Sequence, residues 1–270
     1  MKIGIIGMGV VGSAVNDVFE KNHQVIKYDK YKKGYDSFTK VSKCPVIFIC
    51  VPTPMNKSGE IHLTAINNSI KEISKKAKNG TIIVIKSTAV SGTTDLLAKT
   101  YPQFNFSFNP EFLTEKNPTY DFLHTDRVIV GVKNVGTFNV IKRIYLEAGF
   151  KCPIIKTDIK TAEFIKYCSN AFLATKVMFA NEMYNICKKL NINYDEVIKS
   201  LLVDKRIGKS HWNVPGFDGD KGFGGKCFPK DINALIYLAR ENDYKPYLLE
   251  EVWRSNLSVR KKINWLGEIK

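Results

Sequence analysis

The sequence lacks the patterns that mark several classes of protein. Its four histidines and six cysteines include no C-x-x-C pair and form no zinc-binding spacing, so we expect no metal site. No apolar run reaches the ~18–20 residues that a membrane-spanning helix requires, and we expect no membrane partner. Single cysteines scattered along a chain are typical of a reducing compartment, which predicts a cytoplasmic protein.

Acidic residues are scarce relative to basic ones, with 26 against 41 and a formal net charge of +15. Such a charge is compatible with a nucleic-acid partner. The lysines, however, are spread along the whole chain and form no basic arm or aromatic–basic repeat, so we do not expect nucleic acid as the partner. Attraction to anionic small molecules, such as dinucleotides or nucleotide sugars, and a merely solvated lysine-rich surface both stay open.

A glycine-rich turn, Gly7-Met8-Gly9-Val10-Val11-Gly12, follows a short apolar strand and precedes a segment with helical spacing. Alone, G-x-G-x-x-G is a weak pattern, but here both flanks are correct for dinucleotide binding. Gly7 permits the tight turn, Gly9 lets the backbone approach a pyrophosphate, and Gly12 lets the helix pack on the strand. Val10 and Val11 complete the turn, which predicts a dinucleotide site.

An acidic residue, Asp29, ends the second predicted strand about 20 residues past the turn, where a carboxylate binds the ribose hydroxyls of a dinucleotide. A carboxylate there repels a 2′-phosphate, so the sequence favours NAD over NADP as the cofactor. The nearby Lys30, Lys32 and Lys33 weaken this preference a little.

Strand and helix patterns alternate through residues 1–156, which predicts an NAD-binding α/β domain with a doubly wound, mostly parallel sheet of Rossmann type. Ligands bind at the carboxyl ends of the strands in such a sheet. Thr53, Thr88 and Glu111 each follow a predicted strand, and they are therefore site candidates by position.

Residues 157–270 predict an all-helical second domain for dimerisation and substrate binding. No proline or glycine interrupts the ~30 residues from Asp158 to Leu190, which favours one unusually long helix. Lys166 and Asn170 share one face of it, since residues four apart are neighbours on a helix. Further helices are predicted at Asp195–Leu202, Ile232–Glu241 and Pro246–Trp265.

Six segments of the chain, in order, match one known family. They are GMGVVG (7–12), KST (86–88), FNPEFLTE (108–115), EFIKYCSNAFLA (163–174), DKRIG (204–208) and GFGGKCFPKD (222–231). The chain resembles the UDP-glucose 6-dehydrogenase family of NAD-dependent nucleotide-sugar dehydrogenases. The resemblance implies a four-electron oxidation of a sugar's primary alcohol to the carboxylate, most simply UDP-glucose to UDP-glucuronate, with two NAD molecules reduced.

The resemblance also implies roles for single residues. Cys227 matches the nucleophile, which adds to the intermediate aldehyde because a thiolate adds to a carbonyl more readily than water does. The other catalytic matches are Lys166 for oxyanion charge, Asn170 for the substrate, Glu111 for thioester hydrolysis, and Asp231 and Thr88 for water and proton handling. The remaining matches are Thr53, Glu115 and Lys230 near the cofactor, and Phe112, Leu113 and Gly224 at the substrate.

Two further expectations come from the family's dimer and from departures from its pattern. Arg206 matches an arginine that reaches a neighbouring subunit's site, so a homodimer is expected. Family members usually continue into a third domain that holds UDP, so we expect a compact member that lacks it. The stretch after Arg206 is longer than usual, and there Trp212 and Asn213 are candidate substrate contacts.

Two other functions stay open. A β-hydroxyacid-type dehydrogenase has a similar plan and a Lys-x-x-x-Asn pair, but performs one two-electron oxidation and needs no thiol. An NAD-binding regulatory protein without activity is the second alternative. From the residues alone, a cysteine after glycines is also more often structural than catalytic.

Overall fold

Seven strands form one sheet in the computed structural model, which describes residues 1–114 and 116–265. Their order across the sheet is β2-β1-β3-β4-β5-β6-β7. All neighbouring pairs are parallel except β5 and β6, which are antiparallel. The strands are β1 (Lys2–Ile6), β2 (Gln24–Tyr28), β3 (Val46–Ile49), β4 (Ile82–Ile85), β5 (Asn105–Phe108), β6 (Val128–Val132) and β7 (Ile154–Thr157).

Helices follow most strands, and after β7 the regular structure of the described residues is helical. The first six are α1 (Val10–Phe19), α2 (Phe38–Ser42), α3 (Thr64–Ser74), α4 (Thr93–Thr100), α5 (Pro118–Leu123) and α6 (Val135–Glu147). The last four are α7 (Ile159–Lys189), α8 (Tyr194–Leu201), α9 (Phe228–Arg240) and α10 (Tyr247–Val259). The predicted doubly wound sheet with a helical second half is confirmed.

The central strands bury both faces. The sequences of β3 and β4, VIFI and IIVI, are apolar at every position and fully buried, as expected for parallel strands covered on two sides. Alternate residues enter different cores: Val46 and Phe48 pack with α1, α5 and α6, while Ile47 and Ile49 pack with α2, α3, α4 and the first turn of α7.

Two compact units divide the chain within α7. Unit 1 comprises Met1–Thr53 with Ile61–Lys166, and unit 2 comprises Pro54–Glu60 with Tyr167–Lys270, described as far as residue 265. The sequence placed the boundary at 156/157, just before α7. Unit 1 contains the sheet, and the described residues of unit 2 form hydrophobic cores around Ile232 and around Trp212. Within the described residues, no helix is both long and apolar enough to span a membrane.

The start of α7 is anchored inside unit 1 by a buried carboxylate. Glu163 accepts hydrogen bonds from the backbone N–H groups of Gly92 (2.5 Å) and Thr94 (2.8 Å), at the N-terminus of α4. It thereby supplies acceptors that α4 lacks, since Gly92, the residue that precedes α4, has no side chain to cap it. Burial raises the pKa of Glu163 to about 7 against these hydrogen bonds.

Helix α10 is shorter than the sequence predicted. It ends at Val259 rather than Trp265, because Arg260 adopts extended backbone geometry with ψ 135°. The Arg260 guanidinium pairs with Asp218 and donates to the carbonyl of Lys262, which holds the chain away from the helical path. Helices α2 and α5 were not predicted, and α9 begins at Phe228, before the predicted Ile232.

Candidate active site

The glycine turn of unit 1 has the geometry that its sequence predicts. Gly7 has φ +93°, and a Cβ there would lie 2.6 Å from the carbonyl oxygen of Cys50. A Cβ on Gly12 would lie 1.8 Å from the Gly7 oxygen, so α1 can approach the turn only with glycine at this position. The space beside Gly9 is open, and no side chain caps α1 at this residue. Open space at an uncapped helix N-terminus fits a dinucleotide pyrophosphate.

Asp29 ties the end of β2 to this turn. One carboxylate oxygen accepts from the Met8 N–H at 2.8 Å, and the other accepts from the N–H groups of Tyr31 (2.8 Å) and Lys32 (3.1 Å). Burial works to raise the Asp29 pKa, but these hydrogen bonds and the Lys32 charge bring it below its usual value. Asp29 is thus an ionised carboxylate at the position expected to bind a ribose.

The two threonine candidates lie where β3 and β4 end. Thr53 is buried and Thr88 half-buried. Between them, the Ser87 hydroxyl donates to the Val51 carbonyl at 2.7 Å, which joins the two strand ends. This brings both threonines to the carboxyl edge of the sheet, where parallel α/β sheets bind ligands.

Glu111 and Lys166 form a buried ion pair in unit 1. Lys166 Nζ donates to Glu111 Oε1 at 2.9 Å and to the Glu111 carbonyl at 2.7 Å, and the two side chains are 5% and 10% exposed. The second carboxylate oxygen accepts from the Leu113 N–H at 2.7 Å. Burial favours a higher pKa for Glu111, but Lys166 and this N–H lower it below its usual value, so the carboxylate is charged.

Phe112 and Leu113 line the same region. The Phe112 ring lies 4.5 Å from the Arg127 guanidinium and 5.5 Å from Lys166 Nζ, and Leu113 packs against the sheet core. Glu115, predicted near the cofactor, lies outside the described residues.

A buried lysine beneath this region was not predicted as a site residue. Lys86 Nζ donates to Asn109 Oδ1 at 3.0 Å and to the Tyr145 hydroxyl at 3.2 Å, and it lies 5.1 Å from the centre of the Phe122 ring. Burial lowers its pKa to about 8. Lys86 and Tyr145 line a pocket with Glu111. Only its place in the K-S-T segment, beside Thr88, distinguished this lysine in the sequence.

A second polar cluster lies in unit 2. Asn170 Nδ2 donates to Asp231 Oδ2 at 2.6 Å, and Lys230 Nζ contacts Asp231 Oδ1 at 2.5 Å. The Asp231 N–H donates to the carbonyl of Cys227 at 2.8 Å. Cys227 is half-buried and precedes the first residue of α9. The predicted residues Cys227, Asp231, Asn170 and Lys230 are therefore brought together in one unit.

Three further predicted substrate residues of unit 2, Arg206, Trp212 and Asn213, follow α8 in the chain. Arg206 has a side chain that is 88% exposed and pairs with Asp204 in its own loop. Trp212 is 6% exposed, donates from Nε1 to the Gly208 carbonyl at 3.0 Å and packs in a core of unit 2. This gives Trp212 a packing role, and its substrate contact stays a prediction. Asn213 is exposed beside it.

Comparison with known proteins shows to which family the chain belongs. Two models of the UDP-glucose/GDP-mannose dehydrogenase family match, the NAD binding domain at residues 21–148 and the central domain at 160–258. The chain belongs to this family. NAD, predicted as the cofactor, is thus confirmed at the level of the family.

Individual relatives in the UDP-glucose/GDP-mannose dehydrogenase family agree. UDP-glucose 6-dehydrogenase YwqF of Bacillus subtilis (strain 168) is 38% identical over 251 residues, 88% of this chain and 54% of that protein. The structure of a UDP-glucose dehydrogenase from Pyrobaculum islandicum superposes with a TM-score of 0.86 at 26% identity, over 95% of this chain and 68% of that one. The chain spans about half the length of the curated relatives it matches.

A 3-hydroxyisobutyrate dehydrogenase of Mycobacterium tuberculosis also shares the fold. Its TM-score is 0.75 over 94% of this chain and 91% of its own, but the identity is 14%. This likeness concerns the fold alone and gives no support to the β-hydroxyacid alternative.

Proposed function

We propose that this chain catalyses the NAD-dependent, four-electron oxidation of a nucleotide sugar's primary alcohol to the carboxylate, with UDP-glucose as the substrate and UDP-glucuronate as the product. The observation that carries the proposal is the cluster of unit 2, in which Cys227 immediately precedes a helix whose first turn presents Asp231 to Asn170. A thiol is needed only if an aldehyde is carried on to the acid, so this cluster favours the four-electron reaction over a single two-electron step.

The residues that hold the cofactor are those of the glycine turn, with Asp29, Thr53, Thr88, Glu115 and Lys230. The uncapped N-terminus of α1 provides N–H groups for the pyrophosphate, and the charged Asp29 carboxylate accepts from the ribose hydroxyls. NAD, when bound, accepts one hydride in each of the two oxidation steps.

Cys227 acts after the first oxidation, when the substrate is an aldehyde. Its thiolate forms a bond to the carbonyl carbon, and the carbonyl π electrons pass to oxygen. Lys166 and Asn170 stabilise the oxyanion, which gains a proton to give a thiohemiacetal. Loss of a second hydride and of the hydroxyl proton then gives a thioester on Cys227.

Hydrolysis releases the carboxylate and regenerates the thiol. Glu111, kept ionised by Lys166, accepts a proton from the attacking water, and Asp231 and Thr88 handle protons at Cys227 and the substrate. Phe112, Leu113 and Gly224 contact the sugar nucleotide. In the proposed homodimer, Arg206 reaches the partner subunit's site, in keeping with its exposed side chain.

The test is the stoichiometry of NADH production on a panel of nucleotide sugars. We expect two NADH per UDP-glucose consumed, and Cys227→Ser to abolish formation of the acid, while Cys168→Ser, an exposed thiol on α7, keeps the parent activity. One NADH with a stable aldehyde or ketone would favour a two-electron dehydrogenase. NAD binding without turnover of any sugar would favour a regulatory protein.

A further inference from the structure

A row of three polar side chains contacts the glycine-rich segment that precedes Cys227. Asn256 lies near the end of α10, Arg260 follows its last residue, and Asn264 lies four residues further on. The spacing of four residues places successive members along one line as far as the helix continues. Each member contacts a different residue of the segment 223–225, and they do so in order along both stretches of chain.

Asn256 fixes the first residue of this segment. Its Oδ1 accepts from the Phe223 N–H at 2.7 Å, and its Nδ2 donates to the Phe223 carbonyl at 3.0 Å. Asn256 is fully buried, so both polar groups of one peptide residue are satisfied by one amide. A Cβ on Gly222 would lie 2.3 Å from Asn256 Oδ1, so this contact requires glycine at position 222.

Arg260 lies directly against Gly224. A Cβ on Gly224 would come within 1.9 Å of Arg260 Nη2 and 2.3 Å of Cζ, so the guanidinium fills the place that a side chain would take. Arg260 is 6% exposed, and it is held by Asp218 and by the carbonyl of Lys262 at 2.8 Å. A buried, paired guanidinium is a rigid surface against which the backbone of Gly224 rests.

Asn264 completes the row. Its Oδ1 accepts from the Gly225 N–H at 3.0 Å. Two residues later, Cys227 precedes α9, and its carbonyl accepts from the Asp231 N–H. A displacement of residues 223–225 is therefore passed to Cys227 and to the first turn of α9.

We infer that Asn256, Arg260 and Asn264 are positioning residues that fix the Cys227 thiol by holding the backbone of residues 223–225. The end of α10 and the residues that follow it thereby influence the chemistry through residues 223–225, without contact to the substrate. The central-domain match ends at residue 258, so Arg260 and Asn264 lie just beyond the residues that this one model matches. The catalytic meaning of this row rests on the proposed function, but the geometry that it fixes does not.

The test compares Asn256→Ala, Arg260→Lys and Asn264→Ala with Arg254→Ala, an exposed arginine on the same helix that lies off the row. Arg260→Lys keeps a cation for Asp218 but removes the planar group at Gly224. Two measurements report on the loop itself: hydrogen exchange of the amides in 222–226, and the rate at which iodoacetamide alkylates Cys227, followed by peptide mass spectrometry. Alkylation of the exposed Cys168 in the same samples is the internal reference.

Loss of one hydrogen bond of ordinary net strength should raise the population of molecules in which this segment is locally open roughly three- to tenfold. We expect an increase of this size in amide exchange and in Cys227 alkylation for the three row variants, with Cys168 and Arg254→Ala unchanged. On UDP-glucose, kcat falls while the KM for NAD stays at the parent value. If Asn256→Ala does not fold, Asn264→Ala, whose contact is exposed, gives the same readout.

Unchanged exchange and unchanged Cys227 alkylation in folded row variants would overturn the inference. The parent protein could also prove to turn over no nucleotide sugar. If amide exchange and Cys227 alkylation still increase in the row variants, the positioning role is supported and only the proposed function fails.

Discussion

The carboxylates of the two units receive different partners from the same helix. In unit 1, α7 provides Glu111 with a cation, the Lys166 ammonium at 2.9 Å. In unit 2, α7 provides Asp231 with the neutral amide of Asn170, and the cation comes from the adjacent Lys230. Glu111 therefore depends on α7 for its charge balance, whereas Asp231 depends on it for orientation only. Substitutions in the Glu111–Lys166 pair and in the Asp231–Asn170 pair should therefore have different effects.

The largest effect is expected on activity at Asp231. Asp231→Asn keeps the shape and the burial but removes a proton acceptor, so kcat on UDP-glucose should fall about 10²–10⁴-fold. Steady-state kinetics over a pH range measures this. Parent-like activity would show that Asp231 only supports the fold of α9, and Asp243→Asn, in an exposed turn, is the matched control.

Removing the α7 partner of each carboxylate should lower the stability of the protein by unequal amounts. Lys166→Met leaves Glu111 charged and buried, which should lower the free energy of unfolding by about 3–5 kcal/mol. Asn170→Ala leaves Asp231 with Lys230, and should cost about 1–3 kcal/mol. Urea denaturation measures both.

A double variant checks the cause of the larger loss. Lys166→Met with Glu111→Gln removes both charges and should recover part of the stability lost in Lys166→Met alone. If the double variant is less stable than the single one, the ion pair is not the source of the loss.

A smaller, pH-dependent effect is expected where α7 is anchored to α4. Folding raises the Glu163 pKa from 4.5 to about 7, so its contribution to stability is complete below pH 4.5 and is lost as the pH rises through about 7. Relative to Glu163→Gln, the parent should lose about 1–3 kcal/mol of unfolding free energy between pH 4.5 and 8. Glu182→Gln, exposed on the same helix, should show no such difference, and parallel curves for Glu163→Gln would contradict the prediction.

The smallest structural effect is expected at Arg206. Its ion pair with Asp204 is exposed, so Arg206→Ala should leave the melting temperature unchanged, while kcat falls if the side chain serves the partner subunit's site. Mixing Arg206→Ala with Cys227→Ser should then restore some activity in heterodimers. No restoration, with a dimer shown by sedimentation, would place Arg206 outside the neighbouring site.

Local patterns in the sequence predicted the sheet and the glycine turn because their causes lie within a few residues. Gly7 and Gly12 are required by contacts inside one strand–turn–helix unit, and the apolar runs of β3 and β4 are read directly from composition. The pairing of Asn170 with Asp231 joins residues 61 positions apart, and the resemblance rather than any spacing related them.

The misses have a common physical reason. Lys86 and Asn256 look like solvated surface residues in sequence, because an isolated lysine or asparagine carries no sign of its burial. The burial of Trp212 among residues from several helices of unit 2 was likewise not visible in the sequence. The end of α10 was missed because the cause, the pairing of Arg260 with Asp218, involves a residue 42 positions earlier.

Helix α7 also sets a fixed distance. Lys166 and Asn170 are separated by four residues, and the α-helical rise of ~1.5 Å per residue puts them about 6 Å apart along the axis. That interval is a property of the helical backbone and does not depend on which ligand is bound. Inserting one residue between them would rotate Asn170 by about 100° around the helix axis relative to Lys166. Spacing within this stretch is therefore under a stricter constraint than the identity of the residues on its exposed face.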